Sequence, residues 1–274
     1  MMHGYPYQDD IRVRVSNRNI PIRISGRGRP LLLLHGFPLD GRMWDRLVPL
    51  LSMDHLCIVP DLRGFGRSAE EDKSFSMANL ADDCNGLLDA LQVRQPVVVC
   101  GLSMGGYVAM QFADRYAMRI ACLVLTNTRA NADDPSLIAN RLALSSIGLT
   151  SGVPKVVLPM LERLFSKHTA SSQPQVVESV RSMMLETRAS TYAWAQLAMA
   201  ARNDFRSKLP CWNMPVVCVA GAEDTMTSPA DMRQMAAEFP NSEMHVLANS
   251  AHLTPLECPI AFAQIVLKAT TGLP

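Results

Sequence analysis

An apolar run, Val97–Cys100, passes without a loop into Gly101-Leu102-Ser103-Met104-Gly105-Gly106, and a helical pattern reaching about Tyr116 begins at once. Few backbones accommodate this. A strand that turns directly into a helix forces the residue at the corner into a strained conformation. Its neighbours two positions away on either side pack too closely for a Cβ, which is the reason for glycine there. The result is a serine hydroxyl exposed at a helix N-terminus, where free N–H groups and the helix dipole favour developing negative charge. In this setting the pattern G-x-S-x-G marks Ser103 as a candidate nucleophile rather than a simple helix cap.

The rest of the chain predicts a sheet around that corner. Ile11–Val15 and Ile20–Ser25 alternate apolar and polar residues and read as an edge hairpin. Leu31–Leu34, Leu56–Val59, Val97–Cys100, Ile120–Leu125 and Pro215–Ala220 are continuous apolar runs, and Met244–Leu247 completes the set. Such runs suit strands covered on both faces. Helical spacing is expected over Arg42–Leu51, Met77–Leu91, 229–239 and 259–269. This alternation indicates an α/β fold with a mostly parallel twisted sheet flanked by helices. Residues 129–206 break the rhythm. They carry helical patterns near 135–147, 154–166, 174–187 and 190–201, with nine Lys/Arg against six Asp/Glu. They read as a helical cap inserted into a core made of 1–128 and 207–274.

Composition removes several function classes. The 274 residues carry a formal charge of +1, far from the basic excess of a nucleic-acid binder. With 48% hydrophobic and 19% charged residues the chain is not disordered. No apolar run approaches the roughly 18 residues of a membrane span, and the opening MMHGYPYQDDIRVRV lacks the apolar core of a secretory signal. Seven cysteines form no C-x-x-C pair, and Cys57, Cys100, Cys122 and Cys218 lie within apolar runs. Buried reduced thiols and a cytoplasmic location are therefore expected. Oligomeric state is not legible, and a homo-oligomer stays open.

A serine nucleophile needs a base, and the base needs a carboxylate to fix its tautomer. His252 lies in the small polar loop after Met244–Leu247, at a strand end that can approach the edge where Ser103 emerges. The other histidines fit worse. His3 is terminal, His55 opens a strand, His245 lies within one, His168 is in the cap, and His35 ends a buried strand where a structural hydrogen bond is expected. After Pro215–Ala220 two acids compete, Glu223 and Asp224; Asp224 is one step further out and is favoured. The alternative position, at the end of the preceding strand, holds Asn127, which carries no charge. Oxyanion donors are expected from the backbone N–H of Met104 and, since Pro38 has none, of Phe37. Trp44, Tyr107, Phe165, Trp194 and Leu253 are candidate pocket residues, although helical spacing suits core packing equally. Met183, Met184 and Met199 are expected in the core. The glycines of Asp61–Ser68 could suggest phosphate binding, but the loop lacks G-x-x-x-x-G-K-[ST] and reads as structural support.

Together His35-Gly36-Phe37-Pro38, Asp61–Ser68, Gly101–Gly106, Gly221–Asp224 and Ala251-His252 resemble the α/β-hydrolase superfamily from about residue 20 onward. Within it, Gly101–Ala109 and Met199–Asp204 are similar to small bacterial 3-oxoadipate enol-lactonases and carboxylesterases, which more often have Pro where Asn203 stands. The resemblance implies a serine hydrolase, with the order Ser103, Asp224, His252, acting on a small ester or lactone without metal or organic cofactor. Enol-lactone hydrolysis is the alternative. Cofactor-free perhydrolysis uses the same residues, and a non-catalytic ligand receptor of this fold would need none of them. The charge excess of residues 129–206 points toward an acidic substrate.

Overall fold

Five continuous apolar runs, the alternating N-terminal pair and Met244–Leu247 become eight strands of one sheet. The computed structural model of the protein describes residues 8–68 and 74–273. The strands are β1 (Gln8–Val15), β2 (Arg18–Ser25), β3 (Arg29–Leu34), β4 (His55–Pro60), β5 (Val97–Leu102), β6 (Ile120–Thr126), β7 (Val216–Gly221) and β8 (Ser242–Leu247). Their order is β1-β2-β4-β3-β5-β6-β7-β8. The β1–β2 hairpin lies at one edge, antiparallel to β4, and every pair from β4 to β8 is parallel. Central β5 and β7 are buried along their whole length, and β6 is buried at all positions but Ala121.

The helices are α1 (Val48–Leu51), α2 (Met77–Ala90), α3 (Met104–Tyr116), α4 (Pro135–Ser151), α5 (Pro154–Leu161), α6 (Lys167–Ser172), α7 (Pro174–Glu186), α8 (Ala189–Ala200), α9 (Pro229–Ala237), α10 (Thr254–Glu257) and α11 (Pro259–Thr270). Ser76 and Asn79 close a reciprocal cap on α2, whose Leu80, Cys84, Leu87 and Leu88 face the core. Helix α3 packs on β5 and β6, and α9 on β7 and β8. None of the described helices is long and apolar enough to cross a membrane.

Two expected helices are corrected. Arg42–Leu51 is not one helix but a 3-10 turn, Gly41–Trp44, followed by α1. Of the apolar positions in that spacing, Met43, Trp44, Leu47 and Leu51 are buried, whereas Leu50 is exposed. Pro49 lacks the N–H that a continuous helix would need, and α1 starts around it. The pattern at 154–166 likewise divides. Helix α5 carries Pro159 internally and stops at Leu161, and α6 starts anew where the Ser166 hydroxyl accepts from the Thr169 N–H.

Helices α4 to α8 all lie between β6 and β7, and α4 packs along α8. The junction is held by a charge cluster. The carboxylate of Asp133, ahead of α4, is fully buried between Arg141 of α4 and Arg202 beyond α8. Arg202 NH1 is 2.5 Å from Asp133 Oδ1, and its guanidinium lies 4.3 Å from the ring centre of Tyr107 on α3. Arg202 also donates to the carbonyls of Met199 and Asn131. Removing the acid strands a buried cation, which typically costs about 3–5 kcal/mol. Asp133→Ala is therefore expected to lower the unfolding free energy by that order, read from the shifted midpoint of an equilibrium urea titration.

Candidate active site

The corner between β5 and α3 is where backbone meets backbone. Ser103 sits at φ +53°, ψ −112°, outside the regions open to most side chains. A Cβ on Gly101 would lie 2.3 Å from the Gly105 carbonyl oxygen, and one on Gly105 would lie 2.1 Å from the Leu34 carbonyl oxygen. Neither distance is physically attainable, so both glycines are obligatory. The strain is held by neighbours: the Ser103 N–H donates to the Thr126 carbonyl at 2.9 Å, and the Thr128 hydroxyl donates to the Ser103 carbonyl at 2.8 Å.

The loop after β8 brings His252 to this corner from 149 residues away, with its Nε2 2.9 Å from Ser103 Oγ. On the other side of the ring, Nδ1 is 2.8 Å from Asp224 Oδ2. An ionised carboxylate only accepts, so Nδ1 carries the proton and, in the neutral ring, Nε2 is left to accept from the serine. The side chains of His252 and Asp224 are 3% and 0% exposed, which shields this chain of bonds from water.

Asp224 is surrounded by donors. Its Oδ1 accepts from the N–H groups of Met226 (2.8 Å) and Thr227 (3.1 Å). Its Oδ2 accepts from the Thr227 hydroxyl (2.6 Å) and Asn127 Nδ2 (2.8 Å), besides His252. Burial alone would raise its pKa; the charge of His252 and the bonds from His252, Thr227 and Asn127 outweigh burial and hold the carboxyl below its ordinary range. Glu223 turns away and accepts from the Lys167 N–H at 3.0 Å. Asn127, in the alternative acid position, works as a donor to Asp224 and to the Ala251 carbonyl.

Met104 opens α3, where an N–H has no intrahelical partner. Phe37 follows β3 across the top of the same corner, and its N–H donates to no acceptor among the described residues. His35 is fully buried, with Nε2 accepting from the Leu62 N–H at 3.0 Å and Nδ1 3.0 Å from the Gly36 carbonyl. Burial lowers its pKa, so it is a neutral structural ring. Buried Asp61 accepts from Gly41 N–H, Arg67 N–H and Arg67 Nε, which ties the Gly-rich loop to the segment after β3 and leaves no phosphate cradle.

A cavity of about 600 Å³ opens onto Ser103 and His252. Tyr107 lines it as expected, beside Phe37 and Met199. The other four pocket candidates do not line it. Trp44 and Leu253 are buried in the core, and Phe165 and Trp194 pack against it half-buried. Met199 is buried in the core as expected, and it also reaches the cavity wall.

Residues 29–259 match the family described by the α/β hydrolase fold. The chain belongs to that family. It is an α/β hydrolase. A thermophilic esterase from Thermogutta terrifontis is similar in structure, with a TM-score of 0.91 and 34% identity over 95% of this chain and 97% of that one. The enol-lactonase of Burkholderia xenovorans superposes with a TM-score of 0.87 at 26% identity, covering 95% of this chain and all of that one. In sequence, 3-oxoadipate enol-lactonase 2 of Acinetobacter baylyi is 27% identical over 82% of each chain.

Sequence reasoning missed three arginines of the cavity wall, Arg129, Arg141 and Arg163, and the polar pair Tyr192 and Gln196, joined at 3.0 Å. The positive excess of residues 129–206 was the available signal, but it did not say which charges face inward.

The lowered pKa of Asp224 makes its stabilising contribution complete above the unfolded-state value of about 4, and lost as pH falls toward the folded value. Asp224→Asn is expected to melt below the parent at pH 7, with the Tm gap closing as the pH is lowered beneath about 4. A gap that stays constant through that window contradicts the assignment of the charge.

Proposed function

We propose that this α/β hydrolase cleaves a small carboxylic ester or lactone through an acyl-enzyme intermediate on Ser103. One observation carries the reading: the unbroken chain from Ser103 Oγ to His252 (2.9 Å) to Asp224 (2.8 Å). Oγ attacks the carbonyl carbon while His252 Nε2 takes its proton. The carbonyl oxygen gains the charge and rests against the N–H groups of Phe37 and Met104. Collapse expels the alkoxide, which His252 protonates. A water then loses its proton to His252, attacks the acyl carbon and frees the acid, and the proton returns to Ser103. Asp224 stays ionised and steadies the imidazolium.

Residues 129–206 act in this reading as a cap that roofs the cavity and selects the substrate, over a core of 1–128 and 207–274. Seven free cysteines, five of them buried, support a reducing, cytoplasmic setting. A purely ligand-binding protein would have no need of the three aligned groups.

The test is direct. A fluorophosphonate probe is expected to label the protein, and Ser103→Ala to lose both the label and turnover of p-nitrophenyl acetate, by about 10⁴-fold or more, with circular dichroism unchanged. Retained turnover would move the chemistry elsewhere, and an unlabelled parent would favour the receptor.

The second reading, an acidic ester or an enol-lactone bearing a carboxylate, is favoured by the cavity wall. It carries Arg129, Arg141 and Arg163 and no Asp or Glu. Arg141 is engaged by Asp133 and Gln196, and Arg129 by the Met226 carbonyl. Arg163 is exposed and pairs with no carboxylate among the described residues. Charge-assisted bonds to such an anion are worth about 1.5–3 kcal/mol. Arg163→Gln is expected to lower kcat/KM for a monomethyl dicarboxylate by about 10-fold or more, and to leave a neutral methyl ester of equal length unchanged. Equal effects on both substrates rule out the acidic reading.

A further inference from the structure

Glu257, in α10, presents a carboxylate that the mechanism does not use. The residue is 5% exposed and forms no ion pair with any described cation. A carboxylate out of water is costly unless donors replace its hydration. Here they are two backbone N–H groups from different parts of the fold and, 3.4 Å from Oε1, the Ser250 hydroxyl. Oε1 accepts from the Ala251 N–H at 2.7 Å, and Oε2 accepts from the Ser166 N–H at 2.8 Å. Ala251 immediately precedes His252. Ser166 caps α6 in the helical insertion.

The same two segments meet through two further bonds. The His252 N–H donates to the Leu164 carbonyl at 3.1 Å, and the Ser166 hydroxyl donates to the Asn249 carbonyl at 2.9 Å. One step further, the Lys167 N–H donates to Glu223, the neighbour of Asp224. The base loop therefore leans on the insertion over residues 164–167, directly after the cavity-lining Met160 and Arg163. Asn249, at φ +54°, is a strained turn residue that needs such support.

We propose that Glu257 is a positioning residue: its carboxylate clamps the Asn249–His252 loop to Leu164–Ser166 and so sets the imidazole against Ser103 Oγ. The clamp also makes the insertion part of the base's support. A displacement of residues 160–166 by substrate reaches His252 through these bonds. This rests on the reading of His252 as the base.

Glu257→Gln tests it. The amide keeps the volume but has one oxygen, so either the Ala251 or the Ser166 N–H faces an NH2 and loses its acceptor. Misplacing a reacting group by about 1 Å costs up to about 10²-fold in rate. With p-nitrophenyl acetate well below the variant's Tm, kcat is expected to fall about 10- to 100-fold, with KM within about twofold and fluorophosphonate labelling slowed in parallel with kcat. Glu257→Asp keeps the charge but is too short to reach both N–H groups, and the same loss is expected; it also serves if the amide variant fails to fold. A lowered Tm with unchanged kcat in either variant makes Glu257 merely structural and overturns the proposal. His252→Ala separates the two readings: if it retains activity, the base assignment fails, whereas an inactive His252→Ala beside a fully active Glu257→Gln sinks the clamp alone.

Discussion

The contact between the Gly105 position and the carbonyl end of β3 governs this molecule. At 2.1 Å from the Leu34 oxygen to a would-be Cβ, there is no space for any other residue. Helix α3 can start where it does only because two glycines let three stretches of backbone touch. Ser103 is then held at positive φ, at the first turn of a helix and the middle of the sheet. Loops that leave the carboxyl ends of β3, β6, β7 and β8 converge on it for a topological reason: in a parallel sheet all those ends share one edge.

That edge carries a dense polar network. Asp224 takes bonds from the Met226 and Thr227 N–H groups, the Thr227 hydroxyl, Asn127 and His252; Asn127 is itself fixed by the Thr254 hydroxyl at 2.8 Å. Glu257 anchors the neighbouring loop by the Ala251 N–H and the Ser250 hydroxyl. Both carboxylates are buried, yet neither depends on a Lys or Arg partner. Backbone N–H groups and polar side chains together do the solvating, and they are oriented before any substrate arrives. The insertion shares this network through residues 164–167, so it supports the loops beneath it as well as walling the cavity.

Legibility in the sequence followed the range of the forces. The strands were readable because β5, β6 and β7 are nearly everywhere buried, and continuous apolar runs have few other uses. Helix α2 was readable from one-sided apolar spacing, and α3 from the corner at Ser103 that starts it. Arg42–Leu51 was misjudged in continuity, and in burial at Leu50, because Pro49 acts on hydrogen bonds that a hydrophobic pattern does not record, and the pattern at 154–166 overran the end of α5 at Leu161. Among pocket candidates, only Tyr107 lines the cavity. It lies on α3, one turn from Ser103, whereas Trp44 and Leu253 are taken up by the core and Phe165 and Trp194 pack against it.

The chain by itself determined the corner: a strand running straight into Gly101–Gly106 has one conformation open to it, because sterics within a few residues decide the matter. It also determined the order of sheet and helix and the membership in the α/β-hydrolase family. Only the tertiary structure decided that Asp224 rather than Glu223 meets His252, that Asn127 is a donor, that three arginines face the cavity, and that Glu257 joins two segments 85 residues apart, Ser166 and Ala251. Those choices depend on directions of side chains brought together across the sheet edge, and no periodicity along a single segment encodes a direction set by its distant neighbours.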